Sequence, residues 1–419
     1  MTEFGNWGLL ETSTIANLTE VRLRFARKEF AGKFWNFFLP IYTTYLEQQL
    51  NGSLCRCEVN TSVFIHIIIF ERLLCDMDKT LAPLLWPPLP RLTWLRYFVI
   101  ICLTKTLVKV GWSLRKLLVR LGRAPKPSRK PTFSKVYPCR PKLKHRVFFP
   151  KAYQSGEALP LYINIHGGGF AFGAPEHDDE FCIFFSNNFN LLVVSVDYSL
   201  TPWTTFPVPT EDVAAVVLAI LSDGALPIDH SRVAIGGFSA GGNLALSACQ
   251  LPALQGKIKA AIPWYAPVDW SVGYAHKLAS RPYKRSTDVD ALAAVAPIFN
   301  NMYLPTGTDQ RDPRLSIVYA NRETLPEWIY AISAEYDMLG DEARRMMAGL
   351  AGLQELTEDE REAFETEGGR LRWRMVKGVK HSFTHWWLKK KWAADAARPI
   401  AEEWFLNAGK WLIEQAFES

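Results

Sequence analysis

The sequence has few cysteines and no arrangement of them that marks a metal or redox site. Its 419 residues include seven cysteines. Cys55 and Cys57 are too closely spaced for the CxxC pair of a zinc or redox motif, and no second pair follows. We therefore expect no metal site. Most of the cysteines are predicted to be buried free thiols of an intracellular protein.

Long uncharged hydrophobic runs are also missing. Neither of the two most apolar stretches offers the roughly 18 uncharged residues of a membrane-spanning helix. The first residues, Met1 to Glu11, lack a basic segment followed by an apolar one, so no cleavable signal peptide is predicted. These features predict an intracellular protein, either cytoplasmic or peripherally associated with an internal membrane.

Apolar and basic residues are what the chain has in quantity. Hydrophobic residues make up 48% of it, which is enough for a sizeable buried core. The formal net charge of +6 is unevenly placed, with a basic excess between Arg115 and Arg146. Such a stretch is compatible with contact with nucleic acid or an anionic membrane surface. We slightly favour a solvated linker, and no nucleic-acid partner is predicted.

Residues 1–122 are unusually apolar and are predicted to form a helical N-terminal region, either a cap or a membrane-associating segment. Ser62 to Cys75 is apolar but is interrupted by Glu71 and Arg72. Leu92 to Leu121 has the pattern of a basic amphipathic helix that lies in a membrane interface. The alternative is a lid helix packed over the core. We slightly favour peripheral membrane contact.

Beyond this region the sequence changes character. Residues 123–145 are basic and proline-rich, and proline's fixed φ and missing N–H predict a linker. From residue 146 to 419 strands and helices alternate, which predicts an α/β fold with a mainly parallel central sheet and flanking helices. The predicted strands are Arg146–Pro150, Leu161–Ile165, Leu191–Val196, Arg232–Gly236, Ile258–Pro263, Trp328–Ala334 and Leu371–Val376, and the predicted helices include Glu211–Ser222 and Ala240–Gln250.

The clearest chemical signal is the pentapeptide Gly237-Phe238-Ser239-Ala240-Gly241. It follows a β-branched strand and opens a helix of small residues, which is the context that a G-x-S-x-G nucleophile elbow requires. The glycines let neighbouring backbone pass close to a strained turn. The helix N-terminus favours developing negative charge. Ser239 is therefore predicted to be a nucleophile.

A second glycine-rich motif, His166-Gly167-Gly168-Gly169-Phe170, directly follows a predicted strand. Consecutive glycines can present bare backbone N–H groups to a ligand oxygen. This is the HGGG type of oxyanion loop, which acts together with the N–H of the residue after the nucleophile, here Ala240. The position after a strand and before the serine disfavours the alternative of a flexible turn.

The acid and base that complete a serine nucleophile's machinery should follow it in the order acid, then histidine. Asp337 and His381 each come directly after a predicted strand, at the sheet edge where such folds place catalytic groups. His381 is predicted to take the proton from the serine, and Asp337 to orient the imidazole. His385, Asp341 and Asp269 are weaker candidates for the same two roles.

From about Pro160 to His381, the chain resembles the hormone-sensitive-lipase-like branch of the α/β-hydrolases. About half of the sequence takes part in the resemblance. The matching segments are HGGGFAFG at His166, DYSLTP at Asp197, FPVPTED at Phe206, GGFSAGGNLA at Gly236, DPRLS at Asp312, LPEWIYAISAEYDMLGDE at Leu325 and HSF at His381.

The resemblance implies an α/β-hydrolase fold with a helical cap, built from N-terminal helices and an insertion at about 270–305. It implies that Ser239 is the nucleophile, Asp337 the acid and His381 the base. It places the oxyanion donors at Gly168, Gly169 and Ala240. No cofactor is expected, because a triad and an oxyanion loop suffice for acyl transfer.

Two residues depart from the family's pattern. Phe238 stands where aspartate is common, and Ser382 stands where glycine is usual. Neither position supplies a proton or an oxyanion donor, so we expect changes in packing and rate and not in reaction class. Phe170 and Phe172, in the glycine loop, are the predicted contacts of the acyl group.

The function predicted on this basis is hydrolysis of carboxylic esters, by an esterase or lipase that forms an acyl-enzyme. Deacetylation and lactone hydrolysis belong to the same range of chemistry. The alternative is a non-catalytic receptor that binds a small molecule in the hydrolase pocket, as in plant gibberellin receptors, which resemble this branch but lack the histidine. The presence of all three triad residues favours the enzyme.

Overall fold

A single sheet organises the part of the chain that the structure, a computed structural model, describes: residues 84–121, 123, 130–281, 290–353, 355–386 and 391–419. The predicted apolar segment Ser62–Cys75 lies outside these residues. The strands are β1 (Phe133–Lys135), β2 (His145–Phe148), β3 (Leu159–Ile165), β4 (Leu192–Val196), β5 (Ile228–Phe238), β6 (Ala260–Trp264), β7 (Trp328–Tyr336), β8 (Ala363–Glu365) and β9 (Leu371–Lys380).

The strand order is β1-β2-β4-β3-β5-β6-β7-β9-β8. The central strands from β4 to β9 pair in parallel, and the antiparallel pairs lie at the two edges. Parallel neighbours need crossover connections, and α2 to α7 lie in these connections. The helices are α1 (Arg91–Arg120), which precedes the strands, α2 (Asp179–Phe189), α3 (Val208–Leu221), α4 (Ala240–Cys249), α5 (Tyr274–Ala279), α6 (Ala291–Tyr303), α7 (Gly340–Leu350) and α8 (Lys391–Trp411), which follows the last strand.

The hydrophobic core lies on both faces of the sheet. Every residue of β3 is buried, as expected for a parallel strand covered on two sides. Neighbouring residues point to opposite faces. Ile163 therefore packs in the layer that contains α3, α4 and α7, whereas Tyr162 packs in the layer that contains Phe185 of α2 and Phe405 of α8. This arrangement confirms the predicted fold class.

Two short strands, β1 and β8, were not predicted from the sequence. β1 lies within residues 123–145, which were predicted to be a linker, and Phe133 pairs with Val147 of β2. β8 pairs with β9 at the other edge, with Phe364 opposite Trp373. Each has three residues, too few to establish an alternating pattern, and each sits at an edge where one neighbour suffices.

Helices α1 and α6 lie against each other and against the loop after β3. Ile101 of α1 is fully buried and packs with Met302 of α6 and with Ala171 and Phe172. The helices α5 and α6 fall within residues 270–305, where the cap insertion was predicted. Among the helices of the described ranges, none combines the length and hydropathy that crossing a membrane requires.

Candidate active site

Ser239 sits on a sharp turn between β5 and α4. Its φ of 53° and ψ of −118° lie outside the regions that a serine ordinarily adopts, so the turn is strained. The backbone N–H of Ser239 donates to the carbonyl of Trp264 at 2.8 Å, which holds the turn against β6. A Cβ at Gly237 or Gly241 would overlap the carbonyl oxygen of Ile165. The glycines therefore let β3 and the turn approach each other.

The structure brings Ser239, His381 and Asp337 together in one hydrogen-bonded chain. The Nε2 of His381 lies 3.0 Å from the Oγ of Ser239, and its Nδ1 lies 2.7 Å from Oδ2 of Asp337. A carboxylate beside Nδ1 requires that nitrogen to carry the proton, which leaves the Nε2 lone pair for the serine hydroxyl. The arrangement can therefore transfer a proton from Ser239 to His381.

The carboxylate of Asp337 is buried and hydrogen-bonded through both of its oxygens. Its side chain is 0% exposed, whereas that of His381 is 12% exposed, so the imidazole and not the carboxylate reaches solvent. Oδ1 accepts from the N–H of Leu339 at 3.0 Å. The backbone N–H of Met338, between these two residues, donates to Asp290 at 2.8 Å. Asp290 also caps α6 by accepting from the N–H of Leu292 at 2.9 Å. Asp290 thus ties the start of α6 to the loop that carries the acid.

The glycine loop after β3 crosses directly over the elbow. A Cβ added at Gly167 would lie 2.9 Å from the carbonyl oxygen of Phe238. Gly168 has φ +118° and Gly169 has φ +60°, conformations that favour glycine. A side chain at Gly168 would overlap the carbonyl oxygen of Phe172. The loop conformation therefore depends on these glycines, and Gly167 brings the loop into contact with the elbow.

A family model described as alpha/beta hydrolase fold matches residues 162–385. The chain belongs to this alpha/beta hydrolase family. It is 33% identical over 187 residues to an arylesterase of Saccharolobus solfataricus, covering 43% of this chain and 59% of that protein. It is 29% identical over 205 residues to esterase LipI of Mycobacterium tuberculosis, covering 48% of this chain and 62% of the relative. The chain thus spans about 60% of the length of these curated relatives.

A solved structure gives the same result for the fold. A Pyrobaculum calidifontis esterase superposes with a TM-score of 0.53 at 25% identity, covering 73% of this chain and 93% of that one. The family match and the esterase relatives confirm the predicted resemblance to the hormone-sensitive-lipase-like branch.

The two departures from the family's pattern have structural explanations. Ser382 has φ 61°, in the left-handed region, which explains why glycine is usual there and implies strain at the serine. Phe238 is buried in an aromatic cluster. Its ring centre lies 4.9 Å from that of Phe181 and 4.7 Å from that of His385, both in edge contact. Phe238 therefore fills space below the elbow with apolar surface.

The weaker acid candidates, Asp269 and Asp341, form ion pairs with arginines. Asp269 accepts from Ser271 through one oxygen and pairs with Arg345 at 2.9 Å through the other. Asp341 pairs with Arg344 at 2.5 Å and with Arg345 at 3.0 Å. These ion pairs occupy the carboxylates that would have to orient a histidine. The geometry therefore favours Asp337 over both of them.

Phe170 and Phe172 hold the glycine loop in place. Phe170 is buried and stacks on Tyr303 of α6 with ring centres 3.9 Å apart. Phe172 meets Phe299 of α6 edge-on at 5.7 Å. Both rings therefore contact α6, and their contact with an acyl group stays a prediction.

His385 forms a second acid–imidazole pair, and Asp178 is the partner that sequence reasoning missed. The Nε2 of His385 lies 3.0 Å from Oδ1 of Asp178. The other carboxylate oxygen of Asp178 accepts from the side-chain amide of Asn164 at 2.7 Å. The Nδ1 lies 3.1 Å from the hydroxyl of Tyr265. Burial raises the pKa of Tyr265 well above its ordinary value, so the phenol keeps its proton. Asp178 follows no strand and belongs to no spacing motif, so no sequence signal marked it.

The Asp178–His385 pair lies next to the Asp337–His381 pair. The ring of Tyr265 meets that of His381 edge-on with centres 4.8 Å apart. A short turn, residues 381–384, follows β9 and carries His381, and His385 comes directly after it. The Asp178–His385 pair thus anchors the far end of the loop that carries the predicted base.

We expect His385→Leu to lower the free energy of unfolding by about 3 kcal/mol, because the buried carboxylate of Asp178 loses its imidazole partner, although Asn164 still donates to it. Urea denaturation at pH 7 measures the change. The double variant His385→Leu/Asp178→Asn removes the orphaned charge as well and is expected to recover part of the loss. A single variant as stable as the wild type, or a double variant less stable than the single one, would contradict this interpretation.

Proposed function

We propose that this hydrolase cleaves carboxylic esters through an acyl-enzyme on Ser239, with His381 as the base and Asp337 as the acid. The observation that supports the proposal most directly is the continuous hydrogen-bonded chain from Ser239 through His381 to Asp337. Its position under a glycine loop adds the electrostatic partner that acyl transfer needs. The names of the relatives, an arylesterase and an esterase, favour esters as the substrate class.

In the acylation step, the Oγ of Ser239 attacks the ester carbonyl carbon while its proton moves to Nε2 of His381. Asp337 stabilises the resulting imidazolium and keeps the ring in the correct tautomer. The carbonyl oxygen becomes an oxyanion, for which the backbone amides of Gly168, Gly169 and Ala240 are the proposed donors. The C–O bond to the alcohol then breaks, and the alcohol leaves with the proton held by His381.

In the deacylation step, water replaces the alcohol. His381 takes a proton from the water, the hydroxide attacks the acyl carbon, and the same amides receive the second oxyanion. Collapse of this intermediate breaks the bond to Oγ of Ser239, which recovers its proton from His381. The acid leaves and the site returns to its starting state, so the cycle needs no cofactor.

The substrate is proposed to be a small-molecule ester of moderate size, and acetyl esters and lactones fall within the same chemistry. We also propose peripheral membrane contact by the N-terminal region. The part of that region that the structure describes, helix α1, bears on its surface the features that support such contact.

The test is hydrolysis of p-nitrophenyl esters, from acetate to palmitate, by the full chain. We expect turnover of several esters with a maximum at one acyl length. An alkyl fluorophosphonate should inactivate the protein, because Oγ of the nucleophile forms a bond to phosphorus as fluoride leaves. Mass spectrometry of the peptides should find the adduct on Ser239.

The control is the same labelling after the protein has been unfolded, which should give no adduct. A folded protein that hydrolyses none of the esters and carries no adduct would overturn the proposal. That result would favour the small-molecule receptor, and a ligand-binding screen would then replace the activity assay.

A further inference from the structure

Helix α1 carries a row of exposed apolar side chains on the face opposite its contacts with the other described residues. The row recurs every three or four residues, which places it on one side of a helix. Its first six members are 42–83% exposed: Leu92, Leu95, Val99, Leu103, Leu107 and Val110. The same spacing continues to Leu121, which is 57% exposed. We call this row the outer face of α1.

The opposite side of α1 holds the helix on the hydrolase. Ile101 is fully buried against Met302 and Ala171, with Phe98 and Phe299 beside them. On a helical wheel Ile101 lies about half a turn from its neighbours in the row, two positions before and two positions after it. The inner contacts therefore fix the helix so that its outer face stays in solvent. A contiguous row of exposed apolar side chains is a common mark of an interaction site.

The charge of α1 has one sign. The helix contains seven basic residues and no aspartate or glutamate; the basic residues are Arg91, Arg96, Lys105, Lys109, Arg115, Lys116 and Arg120. Lys105 donates to the carbonyl of Thr201 on the inner side, and four more basic residues follow between 123 and 130 in the sequence. Each lysine or arginine close to an anionic lipid surface is attracted to its negative headgroups.

An exposed tryptophan lies beside the same helix. Trp203 is 73% exposed, and its ring meets that of Phe98 edge-on with centres 5.6 Å apart. Tryptophan is enriched where apolar and aqueous regions meet, because its ring is largely apolar and its N–H is polar. Trp203 therefore adds an exposed aromatic ring beside α1, on the side of Phe98 and not on the outer face.

We infer that the outer face of α1 docks on an anionic lipid bilayer, with the helix lying in the interface and not crossing it. An apolar face flanked by cations matches the acyl boundary and the negative headgroups at once. A second copy of the chain is disfavoured as the occupant, because two such helices would bring their positive charges together.

The docking surface has a consequence for the site, which rests on the proposed function. The inner side of α1 packs on Ala171 and Phe172, directly after the glycines of the proposed oxyanion loop. An ester dissolved in the bilayer would thus lie near the catalytic groups without passing through bulk water. The substrate class that this geometry favours is esters with lipophilic groups.

The test is co-sedimentation of the full chain with vesicles of phosphatidylcholine alone or with about one-third phosphatidylserine. We expect binding to the anionic vesicles that weakens as salt is added. Leu103→Glu/Leu107→Glu, on the outer face, should lower the affinity about tenfold or more, because two apolar side chains no longer enter the interface. The matched control Leu353→Glu/Leu406→Glu changes two partly exposed leucines outside α1 and should bind like the wild type.

Three results would overturn the inference. The outer-face variant could bind vesicles as well as the wild type, the wild type could fail to bind anionic vesicles, or sedimentation could show that the variant abolishes a dimer. Hydrolysis of p-nitrophenyl acetate without vesicles reports on the proposed function separately. The rate of this hydrolysis should be the same in the wild type and in both double variants. If none of the three proteins hydrolyses the ester, the proposed function is contradicted, whereas the docking result is unaffected.

Discussion

Replacing Ser239 with alanine is expected to lower kcat/KM for ester hydrolysis by about four to six orders of magnitude. The hydroxyl removed is the one that lies 3.0 Å from Nε2 of His381, so no atom remains to form the acyl-enzyme. Binding and oxyanion stabilisation persist, which leaves a small residual rate over the reaction in water. The measurement is steady-state hydrolysis of the best p-nitrophenyl ester, with circular dichroism to show that the variant folds.

The same loss is expected for His381→Ala and for the double variant, because groups that act as one unit do not contribute additively. Ser247→Ala is the matched control. This buried serine lies on the same helix as the elbow, and its hydroxyl is 2.9 Å from that of Thr210, away from the imidazole. It should retain activity of the same order as the wild type. Substantial hydrolysis by Ser239→Ala, or a multiplied loss in the double variant, would contradict the proposed mechanism.

The sequence predicts the sheet and the geometry of Ser239, His381 and Asp337 because these depend on local patterns. Buried strands such as Leu159–Ile165 are short apolar runs bounded by turn signals. A nucleophile elbow needs a glycine on either side of its serine, so the motif is visible at fixed spacing. Asp337 and His381 follow strands that pair in parallel, and the ends of such strands meet at one edge of the sheet.

Contacts between distant segments could not be predicted in this way. Asp178 and His385 are separated by 207 positions, and Asp290 and Met338 by 48, and neither pair belongs to a motif. The faces of α1 are a similar case. Periodicity shows that α1 is amphipathic. Only the packing of Ile101 on Met302 decides that the outer face of α1 is the exposed one. Which polar groups meet and which apolar faces stay uncovered are results of tertiary packing.

Gly168→Ala is expected to lower kcat about 10² to 10³-fold, with little change in KM. Gly168 has φ +118°, which an alanine rarely adopts, and the new Cβ would overlap the carbonyl oxygen of Phe172. The loop must shift to accommodate it, and the shift moves the amides of Gly168 and Gly169. In the proposed mechanism these amides act on the oxyanion, which exists only in the transition state and the intermediate, so their displacement is expected to affect kcat and not substrate binding. Kinetics with the same ester measures both constants.

Gly224→Ala is the control for the general cost of replacing a loop glycine, because an added Cβ there has no heavy atom within 4 Å. It should keep the kinetic constants of the wild type. Phosphonylation of Ser239 should slow together with kcat in Gly168→Ala, because the attacked phosphoryl group develops charge at the same amides. A Gly168→Ala protein that is folded and turns over normally would show that the oxyanion is stabilised elsewhere. A rise in KM alone would assign the loop to substrate binding, since only interactions that strengthen in the transition state change kcat.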